Sequence, residues 1–540
     1  MQSQRLLWHG VLAASEEFPD RAACEILCPL SYRGLVDQAK RIAATIQREG
    51  PKDAVPLTGV FGNHSETAYT GVLGTLMAGN GYVPLNRAFP LHRTRLMLKR
   101  SMCRSLVVDI ESEAQLEALL EGVEQPLLIL CPDRADVSEL AKRFSPHKLF
   151  GAGDLSAPEQ WTRRDVSPNS IAYLLFTSGS TGQPKAVMVS HANVTHYVDY
   201  VTRRYSVNCE DRVSQNFDLT FDLSAHDLFV AWHNGACVLC PGKKQRFKPD
   251  DFIQGARLTI WFSVPSTALF MQRLGVLKTD LYSKLRLSLF CGEALPSKVA
   301  TRWAMAAPNS VIENIYGPTE LTIACTAYRW DGKLSPEECE QGIVPIGEPF
   351  DDMEVLIADE NLEEVQDGSA GELLMSGPQM SAGYWQDEER TKRAFVAVPG
   401  KNGKVFYRTG DRVSRRGPGK PMVYLGRVDS QIQVLGYRVE MGEVECAVRQ
   451  ASGLDGVVAI GWPVTQRGAD GIEVFLEADA FDTISLVAEL RSKLPPYMVP
   501  RNIRLLSPLP LNSNGKFDRQ RLLKILQDES EAGVAASLKW

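Results

Sequence analysis

The sequence predicts an α/β protein: a large N-terminal domain of layered α/β subdomains plus a β-rich subdomain, then a small mobile α+β C-terminal domain. Three observations predict it. Helical patterns alternate with short apolar strands through most of the chain. From Val355 the pattern changes to short strands and turns. Beyond Gly426-Arg-Val-Asp429 lies a compact stretch of about a hundred residues, enough to fold alone. At 540 residues the chain exceeds one ordinary core. The domains are expected at 1–428 and 429–540.

The elements follow in order. Met1 to Gly10 lacks a charged leader and a clean apolar stretch, so it reads as a helix of the mature protein. Helical periodicity covers Tyr32 to Arg48 and Thr67 to Met77. Apolar strands are expected at Val55 to Phe61, Ser105 to Val108, Pro126 to Leu130, Ala236 to Leu239, Thr259 to Val264 and Leu285 to Phe290. The β-rich part offers Glu372 to Ser376, Lys404 to Tyr407 and Met422 to Leu425. In the C-terminal domain, strands are expected at Gln431 to Val434, Gly456 to Gly461 and Gly471 to Leu476, with helices at Gly442 to Gln450 and Ile484 to Leu494. The polar tail after Gln527 is expected to fray.

With 65 acidic and 59 basic residues the chain is mildly acidic. Together with the lack of a basic-aromatic patch, this argues against nucleic-acid binding. No apolar stretch reaches transmembrane length, so no membrane partner is expected. Eleven cysteines, an odd and scattered set, suit reduced thiols in a cytoplasm. Cys237 and Cys240 have CxxC spacing, but in a strand alternate side chains point to opposite faces, so neither metal nor redox chemistry is expected there.

The most informative segment is Leu174-Leu-Phe-Thr-Ser-Gly-Ser-Thr-Gly-Gln-Pro-Lys185. A buried strand ends in a loop of glycines and hydroxyls followed by a lysine. Backbone amides, hydroxyls and an ammonium in that order can face a polyphosphate. It is not the usual P-loop, because Lys185 does not directly follow Gly182.

Further blocks are Phe221-Asp-Leu-Ser-Ala-His-Asp-Leu-Phe229, Asn314-Ile-Tyr-Gly-Pro-Thr-Glu320, Tyr407-Arg-Thr-Gly-Asp411, Gly426-Arg-Val-Asp429 with Gly436-Tyr-Arg-Val-Glu440, and Leu511-Asn-Ser-Asn-Gly-Lys516. In order and spacing they resemble the adenylate-forming enzyme superfamily. Within it the chain looks like a stand-alone amino-acid adenylation domain of nonribosomal peptide synthesis, related to D-alanine–carrier protein ligases. The resemblance implies a ligase that uses ATP and Mg²⁺. A carboxylate attacks the α-phosphate, pyrophosphate leaves, and the acyl group passes to the phosphopantetheine thiol of a separate carrier protein.

The resemblance also implies roles. Thr177, Ser178, Gly179, Ser180, Thr181, Gly182 and Lys185 would hold the departing pyrophosphate. Tyr316 would stack on adenine, Asn314 would read its amino edge, and Gly292 would line the nucleotide site. Thr319 would contact the α-phosphate, Glu320 would hold Mg²⁺, and Asp411, with Arg427 nearby, would accept the ribose hydroxyls. Lys516 would be the catalytic lysine and Asp429 the hinge between an adenylating and a thioester-forming pose.

Asp222 matches the carboxylate that pairs with a substrate α-ammonium group; the alternative is an N-cap for the helix beginning near Ser224. The other pocket positions are Leu223, His226, Phe262, Leu289, Cys291, Ile315, Ile323 and Ala324. This mostly apolar set disfavours charged side chains. The expected substrate is a small apolar amino acid, L-proline first and alanine second. His226 is expected to be a core histidine bonded to backbone. With no condensation region before Trp8 and no carrier segment after Leu523, a partner in trans is expected. The alternative function is an acyl- or aryl-CoA ligase of the same superfamily, against which Asp222 argues.

Overall fold

The structure, a computed structural model, describes residues 5–26, 28–178, 184–417, 419–428, 431–465, 468–510 and 517–537. The chain divides into two compact units. The first comprises Met1–Arg87, Thr94–Phe176 and Lys185–Val428. The second comprises Ala88–Arg93, Thr177–Pro184 and Asp429–Trp540.

Among the described residues, strands of the first unit lie in three sheets. A largely parallel sheet runs in spatial order Thr326–Arg329, Val311–Tyr316, Leu287–Phe290, Ile260–Ser263, Arg212–Ser214, Cys237–Leu239 and Ala22–Glu25, with short strands at both edges. A second sheet holds Lys148–Gly151, Leu128–Cys131, Ser105–Val108, Leu57–Phe61, Gly81–Leu85, Ile171–Thr177 and Lys185–Ser190. The third, antiparallel, is built on Ala370–Ser376 and the long strand Val405–Arg415, and is the β-rich part.

Parallel neighbours need crossover helices. The helix Glu66–Ala78 joins Leu57–Phe61 to Gly81–Leu85 and is buried from Thr67 to Ala78. Ser65 caps it by accepting the Ala68 amide, and Gly79, at φ 94°, ends it. It packs on Tyr32–Glu49, whose approach depends on Gly74: a Cβ there would lie 2.8 Å from the Ala39 carbonyl oxygen.

Side-chain alternation divides the core. Ile260 and Phe262 join one apolar cluster and Trp261 the other, where its ring stacks on Trp303 at 6.0 Å. The same alternation sends Cys237 and Cys240 to different clusters, so the CxxC spacing brings no thiol pair together.

In the second unit, helices Met441–Ser452 and Thr483–Lys493 bury Val444, Val448, Leu486 and Leu490 with Val474 of the strand Ile472–Leu476. Arg93 and Glu443 form a buried ion pair there at 2.5 Å. The helix Arg519–Ser537 runs into the polar tail that was expected to fray. At the other end the first helix begins only at His9.

Four histidines of the first unit, His191 and His226 buried and His64 and His233 half-buried, are held neutral by desolvation: His64 and His226 down to about 3, His191 and His233 to about 4. An unfolded histidine titrates near ~6.5. Below that pH the unfolded chain therefore binds more protons, and stability falls as pH drops from about 6.5 toward 3. The thermal midpoint, read by scanning calorimetry, is expected to fall steadily between about pH 6.5 and pH 4; a flat midpoint over that window would contradict the histidine assignment.

Candidate active site

In open α/β sheets ligands bind beyond the carboxyl ends of the strands. Here four adjacent strands deliver functional segments to one edge: 215–222 after Arg212–Ser214, 264 onward after Ile260–Ser263, Cys291-Gly292 after Leu287–Phe290, and Gly317 to Glu320 after Val311–Tyr316.

Asp222 stands at the N-terminus of the helix Leu223–Trp232 and is 4% exposed. Its side chain makes no capping bond, so the capping alternative does not account for it. Burial, and then the Asp222 charge, push the Cys291 thiol far above its ordinary range, so the carboxylate lies within electrostatic reach of Cys291. One helical turn on, His226 is buried, with Nδ1 2.7 Å from the Tyr197 hydroxyl. It is a core histidine, but its partner is a side chain and not the expected backbone group.

Phe262 packs edge-on at 4.6 Å from the His226 ring and 5.1 Å from Phe217. Its backbone is pinned on both sides: the amide donates to Ser214 Oγ at 3.0 Å, and the carbonyl accepts from Asn216 Nδ2 at 2.8 Å. Leu289 is its register partner on the neighbouring strand. Leu223, Leu289, Cys291, Ile315, Ile323 and Ala324 are buried in the same cluster.

The wall at Ile323 and Ala324 is strained. Thr322 and Ile323 have φ of 59° and 72°, a left-handed region costly for β-branched residues. Gln379 holds the bend: its side-chain amide donates to the carbonyls of Leu321, Thr322 and Ala324 at 3.2, 3.3 and 2.6 Å.

The second cluster is polar. Asn314 Nδ2 donates to the carbonyls of Val344 and Pro345 at 3.3 and 2.9 Å. Its Oδ1 is buried and has no hydrogen-bond partner among the described residues. The Tyr316 hydroxyl donates to Asp411 Oδ2 at 2.5 Å, and Arg427 Nη1 donates to Asp411 Oδ1 at 2.7 Å. Thr319 and Glu320 share a short 3₁₀ turn. Glu320 is fully buried: Lys185 Nζ lies 2.9 Å from its Oε1, and the Tyr384 hydroxyl donates to that oxygen at 2.7 Å. The Lys185 ammonium also lies 5.0 Å from the Tyr384 ring centroid.

In the second unit, Ser178 is engaged by backbone: its hydroxyl donates to the Arg438 carbonyl at 2.6 Å and accepts from the Glu440 amide at 3.2 Å. Thr177 Oγ1 is buried with no partner among the described residues. Gly292 takes φ 88° immediately after Cys291. Gly179, Ser180, Thr181, Gly182, Asp429 and Lys516 lie outside the described residues.

Three residues of this site escape sequence reasoning: Tyr197, Gln379 and Tyr384. Only Tyr384 carries a signal, in Ser381-Ala-Gly-Tyr-Trp385, a glycine-aromatic stretch with no chemistry of its own.

An orphaned amide oxygen, a carboxylate braced by a tyrosine and an arginine, and a buried lysine–glutamate pair, drawn from strands of three sheets, fit a nucleotide-binding site. The comparisons agree. The chain belongs to the AMP-binding enzyme family, whose match spans residues 12–385. It is 30% identical over 504 residues to the D-alanine–D-alanyl carrier protein ligase of Bacillus licheniformis, covering 91% of this chain and 94% of that protein. Among solved structures it resembles the Vibrio cholerae adenylation domain AlmE in complex with glycyl-adenosine-5'-phosphate, with TM-score 0.86, 29% identity and coverage of 98% and 99% of the two chains. It also resembles IdnL7, with TM-score 0.72 and 37% identity over 98% of this chain and all of that one, 100%. The protein is therefore an ATP-using ligase of the adenylate-forming type. Among the described residues no helix is long and apolar enough to cross a membrane.

Proposed function

We propose that this enzyme activates a small uncharged amino acid as its aminoacyl-adenylate and transfers it to the phosphopantetheine thiol of a carrier protein. The observation that carries the reading is Asp222: a buried carboxylate at a helix start whose side chain does not cap, with a charge that reaches Cys291. A carboxylate buried among apolar pocket residues is suited to receive the α-ammonium group of an amino acid, which would bring a matching charge into the same low-dielectric site. The relatives support the carrier, since two ligases with about this identity are named for a D-alanyl carrier protein.

Sequence reasoning puts proline first and alanine second. Phe262 and His226, at 4.6 Å, close the pocket with two rings. That closure, and relatives named for D-alanine or solved with a glycyl-adenylate, favour alanine or glycine over proline. Pyrophosphate exchange with glycine, L-alanine, D-alanine and L-proline, beside aryl and fatty acids, tests the reading. Dominant turnover of an aryl or fatty acid would replace it with the acyl-CoA ligase alternative.

For the nucleotide, the orphaned Asn314 oxygen suits the adenine amino group and Asp411 the ribose hydroxyls. Glu320 suits Mg²⁺, an oxygen-seeking ion that neutralises phosphate charge, and Lys185 suits the leaving pyrophosphate. Tyr384 holds the Glu320 carboxylate in place. Hydrogen bonds to charged groups contribute about 1.5–3 kcal/mol. Tyr384→Phe is therefore expected to raise the Mg²⁺ concentration for half-maximal exchange roughly tenfold. An unchanged Mg²⁺ dependence would remove that role.

Lys516, Asp429 and the 429–540 domain carry their assigned roles from motif position. We place the reaction in the cytoplasm on the odd count of eleven cysteines.

A further inference from the structure

Contrary to the expectation that the chain lacks a basic-aromatic patch, it carries one short run, and the structure exposes it. Residues 242–248 read Gly-Lys-Lys-Gln-Arg-Phe-Lys, with four cations in seven positions. The whole chain has 59 in 540 and a net charge of −6. The side chains of Lys243 and Lys248 are 90% and 71% exposed, and Phe247 is 76% exposed. Lys244 and Arg246 are exposed as well.

This loop is a built surface. The Gly242 amide donates to Gln245 Oε1 at 2.9 Å, and the Lys248 amide donates to the Gln245 carbonyl at 3.0 Å around the turn Gln245–Phe247. Pro241 and Pro249 are buried at its two ends. The nearest acids do little to neutralise it. Glu111 and Asp251 stand 4.0 Å from Lys243 and Lys248 in solvent, where such pairs contribute little.

Its place in the fold ties it to the site. The loop follows the strand Cys237–Leu239, which pairs in parallel with Arg212–Ser214, Val238 opposite Val213. The loop after that neighbour ends at Asp222. Both leave the same carboxyl edge of the sheet. Arg246 and Arg87 also both act on the half-buried Asp218, four residues before Asp222.

We propose that loop 242–248 is the docking surface for the carrier protein, its cations meeting an acidic carrier face and its Phe247 an apolar spot within that face. This rests on the carrier-dependent reading above. The arm that must reach the site is joined to its carrier by a phosphodiester, an anion that accompanies every correct partner. A cation ring around one exposed aromatic gives such a partner steering and an anchor.

The test compares the parent with Lys243→Glu/Lys244→Glu/Lys248→Glu and, separately, with Phe247→Ala. Three activities are read: amino-acid-dependent pyrophosphate exchange, transfer to free pantetheine, and transfer to a holo D-alanyl carrier protein across a salt series. The expected result is unchanged exchange and pantetheine transfer, with the KM for the carrier raised about tenfold or more and its salt sensitivity lost. A carrier KM within about twofold of the parent overturns the proposal, as does a triple variant that loses only binding of poly(U) RNA. If the parent itself shows no exchange, the functional reading falls, and direct titration of parent and triple variant with the same holo carrier still decides the surface: equal affinities overturn it.

Discussion

Asp222→Ala is expected to abolish amino-acid activation while leaving ATP binding intact. The carboxylate is buried, acts electrostatically on Cys291 and makes no capping bond to the helix it begins. Without it, a substrate ammonium group would enter the pocket stripped of water and of its counter-charge. Breaking a buried pair by removing one partner costs about 3–5 kcal/mol, so kcat/KM for the preferred amino acid should fall at least a hundredfold. Des-amino analogues should be poor substrates of the parent enzyme. Their relative standing should improve in the variant, where the carboxylate is gone. The measurement is exchange with alanine against propionate for both proteins. Equal turnover of the two acids by the parent would end the ammonium-anchor reading.

Lys516→Ala should be comparably severe and different in kind. The lysine is assigned to the transition state, where attacking carboxylate and α-phosphate bring negative charges together. A preorganised cation aimed at developing charge contributes about a hundredfold to a thousandfold in rate. Its loss should therefore appear in kcat, with nucleotide affinity nearly unchanged. Asp222→Ala, by contrast, should act through the amino acid. Exchange kinetics with ATP and amino acid varied in turn separate the two, and wild-type exchange rates in Lys516→Ala would remove the assignment.

Much of the fold is legible in the chain because it rests on local periodicity. Ser105–Val108 coincides with its expected bounds, and Tyr32–Glu49 differs by one residue at its end. The strand Gly81–Leu85 does not announce itself, since Pro84 interrupts a short run; yet it pairs in parallel with Leu57–Phe61, Pro84 opposite Val60. The site divides the same way. Asp222, Asn314, Glu320 and Asp411 stand in short motifs at or just after strand ends and helix starts, so each is readable within one window of sequence. Tyr197, Gln379 and Tyr384 act across 29, 55 and 64 residues of chain, on His226, Ala324 and Glu320 respectively. No window of sequence contains both partners of such a contact. The basic loop is hidden for another reason: its composition is visible, but the exposure of Phe247 is a property of the folded surface.

The bend at Thr322 and Ile323 has a consequence for how this enzyme could change its diet. Most ways of enlarging a packed pocket remove buried volume and lower stability, so new specificity and foldability pull against each other. Ile323 is an exception. Its backbone sits at φ 72°, where a β-branched side chain is penalised and glycine is at ease. Shortening it to glycine would widen the amino-acid pocket and release that strain together, while the three Gln379 bonds, all to main-chain carbonyls, would survive the change. A lineage drifting toward bulkier amino acids thus has one position where the first step is partly self-compensating, and directed evolution of substrate range should find it early.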